Sequence, residues 1–392
     1  MGRTVTLVLV DGRGAVLGAL PPYEVPLPWW PEVEDVVAGA RERYGVDVRV
    51  LRFLAADRPI PHEGHVSYVA EVPEPPAVPL APFAGDLPDD PRRAAYAEPG
   101  GPDAAVRWAV ETLARLGTPD ATATQVKTWN LSAIWRLASA GTPVAWLKQV
   151  PGFFAHEGAV LRLLGEVAPG LAPPVLATGP HHRHLLGHVP GEDRFGADAG
   201  FCAQIAADYH PVQAHFAGRT AELTAAGVPD GRPDAARLAR VAAPYRDTVD
   251  GLAELIDGLP DRLAAADACG LPDTLVHGDL HPGNVRADER GRRVIIDWGD
   301  STVGPPAYDI LRLAGGLDES GPVVGEWARR WRETVPGSDP ERAVALLAPV
   351  AELRAAAVYA GFLDRIEPSE WPYHAADVPD RLRAAVTRAG TP

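Results

Sequence analysis

Four side chains in the last third of the chain have the types and spacing that chemistry needs. His277 and Asp279 lie two positions apart, and Asn284 follows five residues on. Asp297 closes the apolar run Val294-Ile295-Ile296, thirteen residues after Asn284. Phosphoryl transfer uses such a set. One carboxylate orients a hydroxyl and accepts its proton, while an amide oxygen and a second carboxylate hold Mg²⁺ against phosphates. Mg²⁺ is a hard ion that prefers oxygen and takes few ligands from protein. Pro282 and Gly283 punctuate the step from Asp279 to Asn284, which predicts a tight loop presenting both side chains on one side. The apolar strand before Asp297 predicts a rigid base for the second carboxylate.

A cation for the phosphates should lie upstream, in a β-rich region. Lys148 ends the apolar strand Pro143-Val144-Ala145-Trp146-Leu147, and Glu157 starts a helix nine residues later. A strand lysine held by a helix glutamate is suited to position α- and β-phosphates. The preceding hairpin carries Thr128-Trp129-Asn130-Leu131-Ser132 and has no Gly-x-Gly-x-x-Gly. Phosphate contact there falls to backbone N–H groups, with Asn130 and the Ser132 hydroxyl beside them. A simple turn hydroxyl is the competing reading of Ser132. Residue scarcity points to the same places. Of 37 basic side chains only Lys127 and Lys148 are lysine, and Asn130 and Asn284 are the two asparagines. The planar fork of arginine does not replace a point charge beside a carboxylate. Lys127 has no assigned role.

The elements that position these residues fall into four stretches. Residues 1–72 read as a small α/β domain: a hairpin of Thr4–Val10 and Ala15–Leu20, a helix Glu32–Tyr44 capped by Gly45, then strands Val46–Leu54 and His65–Val72. Residues 73–103 hold nine prolines and read as a linker. Residues 104–190 give a helix Ala104–Leu116, a hairpin Trp129–Leu137/Thr142–Val150, a helix Ala155–Val167 and a strand His184–Val189. Residues 191–392 are helical at Phe201–Ala217, Ala235–Leu259, Val323–Thr334, Pro340–Leu363 and Pro379–Ala389, with a β-rich insert Thr274–Trp298. His181, His182 and His184 read as the polar turn of a hairpin rather than a metal cluster.

His277–Asn284 and Ile295–Asp297 resemble the catalytic signature of the aminoglycoside phosphotransferase family. That protein-kinase-like group also includes macrolide, choline and homoserine kinases. The resemblance spans about 104–392 and extends to Ala172–Leu176, Leu185–Gly191, Ile205–His215 and Gly304–Ile310. It implies an α+β, bilobal protein-kinase-like fold, with residues 104–190 as β-rich N-lobe and 191–392 as helical C-lobe. It also implies Asp279 as catalytic base, Asn284 and Asp297 as Mg²⁺ ligands, Lys148 on the ATP phosphates and Glu157 holding Lys148. Backbone groups near Gly187, His188 and Val189 would receive the purine, while His277 and Asp309 support the catalytic loop. The Gly187-His188 pair replaces the acidic or aromatic hinge residue common in the family, which leaves ATP versus GTP open. More weakly, residues 1–72 resemble a Nudix hydrolase core. Aligned on Gly45, the metal-binding positions fall on Ala38-Gly39 and on Glu42-Arg43, so one of three expected carboxylates remains. The resemblance therefore implies a non-catalytic accessory domain.

A net charge of -15 argues against an extended nucleic-acid surface. No apolar run reads as a membrane span. Cys202 and Cys269 give no disulfide framework. The expectation is a cytoplasmic enzyme, monomer or homodimer, acting on a small-molecule hydroxyl. The alternatives are a pseudokinase-like nucleotide-sensing module and a bifunctional protein with Nudix activity. Phe362–His374, rich in acids and aromatics, suits a cationic or polyhydroxylated acceptor; an acidic loop between helices is the competing reading.

Overall fold

In the computed structural model, which describes residues 2–390, the chain forms two units. The first comprises Met1–Ala155, Val175–His188 and Phe362–Ala376; the second comprises His156–Pro174, Val189–Gly361 and Asp377–Pro392.

The first unit holds two five-stranded sheets. Alternating apolar residues make β1 (Arg3–Val10), which pairs antiparallel with β2 (Val16–Ala19) and β3 (Tyr23–Val25). α1 (Glu34–Tyr44) follows and ends where Gly45 turns left-handed, φ 67°. β4 (Arg49–Ala56) and β5 (His65–Glu71) complete the order β2-β1-β5-β4, with β1 and β5 parallel. Gly39 is a packing glycine, because a Cβ there would lie 2.7 Å from the Tyr23 ring. α2 (Gly101–Arg115) follows the proline-rich stretch and buries Ala105, Ala109 and Leu113 against the second sheet. That sheet runs β6-β7-β8-β10-β9, from β6 (Thr122–Trp129), β7 (Ser132–Ser139), β8 (Thr142–Gln149), β9 (Val175–Gly179) and β10 (Arg183–Gly187).

β6 lies outside the strands expected from the sequence, which began the hairpin at Trp129. Its inward residues are polar. Gln125, 3 % exposed, donates to the Val50 carbonyl at 2.7 Å and accepts the Val50 N–H at 3.0 Å. A strand that buries amides against another backbone lacks the apolar alternation that marks a strand. The outer edge of β6 is also covered. Val33 N–H donates to Val126 and Thr128 N–H donates to Pro31, which closes an edge that would otherwise be open to pairing.

Phe362–Ala376 also departs from expectation. It belongs to the first unit, not to a helical acceptor face, and Pro368–Tyr373 forms a 3₁₀ helix packed on β4. Glu367, Glu370, Tyr373 and His374 are buried. Tyr373 joins the rings of Trp30, Phe53 and Trp129, with centroids 6.0, 5.3 and 5.7 Å away. Arg93 of the proline-rich stretch grips Glu367 with two hydrogen bonds of 2.9 Å.

The second unit is mainly helical: α3 (Glu157–Val167), α4 (Ala199–Phe216), α5 (Thr220–Ala225), α6 (Ala235–Ala242), α7 (Leu252–Asp257), α8 (Leu259–Asp267), α9 (Ala307–Ala314), α10 (Gly321–Thr334), α11 (Pro340–Leu363) and α12 (Asp377–Ala389). The helix expected over Ala235–Leu259 breaks, because Pro244 opens a 3₁₀ turn and Gly251 takes φ 80°. Short strands β11 (Glu192–Asp193), β13 (Val285–Ala287) and β14 (Arg293–Ile295) form one ribbon. β12 (Thr274–Val276) and β15 (Thr302–Gly304) form another. By length and composition α11, at 24 residues, could cross a membrane, contrary to the sequence reading. It buries Val350, Leu353 and Ala356 and carries Glu352 and Arg354.

Candidate active site

The loop after β12 is held by its own polar groups together with Ile296 and Asp309. His277 is fully buried; its Nε2 bonds the Ile296 carbonyl at 3.0 Å, and its Nδ1 accepts the Asp279 N–H at 3.3 Å. Burial pushes the imidazole down to about 4, so it is neutral and fixes the chain rather than shuttling protons. Asp309 on α9 accepts the His277 and Gly278 N–H groups at 2.9 and 3.0 Å, and Gln213 donates to it at 3.0 Å. Burial lifts the Asp309 carboxyl to about 6 despite these donors. Gly278 takes φ 88°, and a Cβ would lie 2.2 Å from the Asp300 carbonyl oxygen. Only glycine fits there.

This frame brings Asp279 and Asn284 together. The Asn284 amide nitrogen donates to the Asp279 carbonyl at 3.0 Å and to its carboxylate at 3.3 Å. His281 caps the 3₁₀ turn Pro282–Asn284 by accepting the Gly283 N–H at 3.1 Å. The Ile296 N–H donates to the Asn284 carbonyl at 2.9 Å, which ties the loop to the segment bearing Asp297. Asp297 is exposed and adopts φ 63°, a left-handed conformation costly for a non-glycine residue. Among the described residues no three His, Cys, Asp or Glu side chains gather as a metal site. One amide oxygen and one carboxylate fit Mg²⁺, which completes its shell with phosphate and water oxygens.

Two groups that the sequence reading missed touch Asp279. The Arg312 Nε donates to its Oδ1 at 2.7 Å, and the His281 Nε2 lies 3.6 Å from its Oδ2. Burial raises the Asp279 pKa, but the neighbouring His281 ring and the Arg312 guanidinium outweigh it and hold the carboxyl well below the usual range. Arg312 lies three residues beyond Asp309 on α9. Its direction therefore becomes legible only once Asp309 is known to point at the loop.

The remaining residues divide between the units. In the first, Lys148 is 8 % exposed on β8, paired in register with Ile134 and His184. Ser132 accepts the Trp129 indole N–H at 3.1 Å, so its hydroxyl helps close the turn. The Asn130 side chain turns inward, with Oδ1 3.0 Å from the His374 Nε2. Gly187 pairs with Ala145, and His188 donates its N–H to Val144 while stacking on Trp146. Lys127 lies over the Trp129 ring at 5.0 Å and 3.7 Å from Glu32. His181 and His182 form an exposed turn at φ 56° and 57°. In the second unit, the Val189 carbonyl accepts from Arg286 at 3.2 Å. The buried Glu157 accepts the Trp298 N–H at 3.1 Å, one residue after Asp297.

A choline/ethanolamine kinase family protein from Mesorhizobium loti matches with TM-score 0.52 at 16% identity, covering 73% of this chain and 95% of its own. Choline kinase from Cryptosporidium parvum Iowa II matches with TM-score 0.52 at 12% identity, covering 73% and 95%. The GDP complex of aminoglycoside 2'-phosphotransferase-IIIa matches with TM-score 0.50 at 16% identity, covering 73% and 98%. No curated protein matches in sequence. The fold is α+β and protein-kinase-like, with a β-sheet N-terminal region and a helical C-terminal part. The sequence profile of the phosphotransferase enzyme family matches residues 125–346, more than half of the chain. The chain belongs to the phosphotransferase enzyme family.

Proposed function

We propose that this chain is a small-molecule kinase that transfers the γ-phosphoryl group of ATP, or of GTP, to a hydroxyl of an aminoglycoside-like antibiotic or another small metabolite. The carrying observation is the Asn284 amide held on Asp279, which brings the two side chains together in one loop. Asp279 orients the acceptor hydroxyl and takes its proton. The ion pair with Arg312 is partly exposed, at 45 % and 37 %, so it is weak enough for a hydroxyl to displace. Asn284 and Asp297 would hold Mg²⁺, which neutralises charge on the phosphates when bound. Lys148 supplies the nucleotide-facing cation, and the backbone N–H groups of the β6–β7 turn serve the phosphates. Gly187–Val189 serve the purine. The net charge of -15 permits a cationic, aminoglycoside-like acceptor, and the same proposal makes this a cytoplasmic enzyme.

The test is the pure protein with Mg-ATP or Mg-GTP and a panel of aminoglycosides, macrolides, amino alcohols and sugars, read by mass. A phosphorylated acceptor is expected. Nucleotide binding with no acceptor modified would move the reading to a nucleotide-sensing module.

A further inference from the structure

The β6–β7 turn lacks the glycines that let such a loop adapt to phosphates, yet it lies among the most heavily supported segments of the first unit. Asn130, 6 % exposed, meets His374, 3 % exposed, at 3.0 Å. Its Nδ2 has no hydrogen-bond partner among the described residues, so His374 is the side chain that fixes the amide. Tyr96 donates to the Trp129 carbonyl at 2.9 Å, and Thr128 donates to the Leu51 carbonyl at 3.4 Å. Tyr373 and His374 both pack on the Trp129 ring, with centroids 5.7 Å away.

We infer that His374 is a positioning residue for the nucleotide: through Asn130 it sets the backbone of the β6–β7 turn, and the N-terminal domain with the returning segment Phe362–Ala376 is the frame that holds it. The inference rests on the phosphotransferase reading given above. Burial pushes His374 down to about 3, so it is neutral at ordinary pH. One ring nitrogen then carries a proton, and Nε2–H donating to Oδ1 gives the amide a single orientation. A turn preset in this way does not have to be ordered by the nucleotide, which favours binding.

The test compares wild type, His374→Ala, His374→Gln and Asn130→Ala in full-length protein for nucleotide KM, kcat and melting temperature. Gln can place an amide N–H near the Nε2 position. His374→Ala is expected to raise nucleotide KM about tenfold, equivalent to about 1.4 kcal/mol, with kcat changed far less. His374→Gln should recover most of that loss, and Asn130→Ala should match His374→Ala. A role confined to stability would lower the melting temperature and leave KM within twofold, which overturns the inference, as does no rescue by Gln. If His374→Ala does not fold, the Gln and Asn130 variants carry the comparison. Calorimetric titration with Mg-ATP and Mg-GTP separates the two ideas. Wild type that binds neither sinks the phosphotransferase reading along with this one. Equal binding by wild type and the variants sinks this one alone.

Discussion

The turn between β6 and β7 draws its buried side-chain bonds from residues far away in sequence, whereas the loop from His277 to Asn284 combines bonds within itself with bonds to Ile296 and Asp309. Asn130 relies on His374, 244 positions away, and Gln125 relies on Val50, 75 positions away. Asn284 relies on Asp279, five positions away, and His277 relies on Ile296, 19 positions away. The two carry different parts of the proposed chemistry. The loop presents side chains at the reacting centre, so it must be right atom by atom. The turn presents backbone N–H groups, for which a fixed overall shape suffices. Hydrogen bonds, both within the loop and from Asp309 and Ile296, specify the first, and burial against a second sheet specifies the second.

The largest expected effect lies in the loop. Asp279→Asn should lower kcat by roughly 10²–10⁴-fold while Mg-nucleotide titration shows binding intact; a drop below tenfold would remove Asp279 as the base. In the turn the largest effect should fall on stability. Gln125→Ala strips partners from the buried Val50 N–H and carbonyl, and each orphaned group costs about 1–3 kcal/mol. Urea unfolding should report a loss of about 2–5 kcal/mol. A smaller loss would mean that water reaches the β4–β6 seam.

Acidity should separate the two regions further. His374 and His277 have folded values of about 3 and about 4, against an ordinary 6.5. The unfolded chain takes up these protons first, so the contribution is full above 6.5 and is lost as pH falls through that window. Glu370 behaves oppositely. Burial, aided by the neighbouring Glu367 charge, lifts it to about 8 from an ordinary 4.5. The folded chain keeps a proton that the unfolded chain has released, so this contribution is full below 4.5 and is lost as pH rises to about 8. His374→Gln should flatten the acid side of a plot of unfolding free energy against pH, and Glu370→Gln the neutral side. Unchanged slopes in both variants would place these groups in contact with solvent.

The same contrast sets what could be read beforehand. The meeting of Asn284 with Asp279 was legible because a tight loop writes its constraints at short, fixed spacing. β1, β5, α1 and α11 were legible from period and caps. β6 was hidden because Gln125 and Thr128 bury amide and hydroxyl groups against β4 backbone. Phe362–His374 was read either as a ligand face or as an acidic loop between helices, and its buried packing was not legible because the same acids and aromatics suit a ligand face and a core equally well. Only the partners Arg93, Trp30 and Phe53 decide between them, and none is a neighbour in sequence. Arg312 was hidden for a related reason: its meaning depends on where α9 points.

Arg312→Ala should have the smallest effect on stability, within about 1 kcal/mol for a partly exposed pair. Its kinetic signature is different. Loss of that charge raises the proton affinity of Asp279, so the acid limb of kcat/KM should move to higher pH, measured in wild type and variant side by side. An unmoved limb would show that Arg312 leaves the base in the working enzyme.

The most direct measurement is single-turnover transfer from labelled Mg-nucleotide to the acceptor identified by the panel, run with wild type and Asp279→Asn at saturating nucleotide. A labelled acceptor from wild type, with transfer slowed at least a hundredfold in the variant, is the result expected if Asp279 orients and deprotonates the hydroxyl. Transfer at wild-type speed by Asp279→Asn would contradict it.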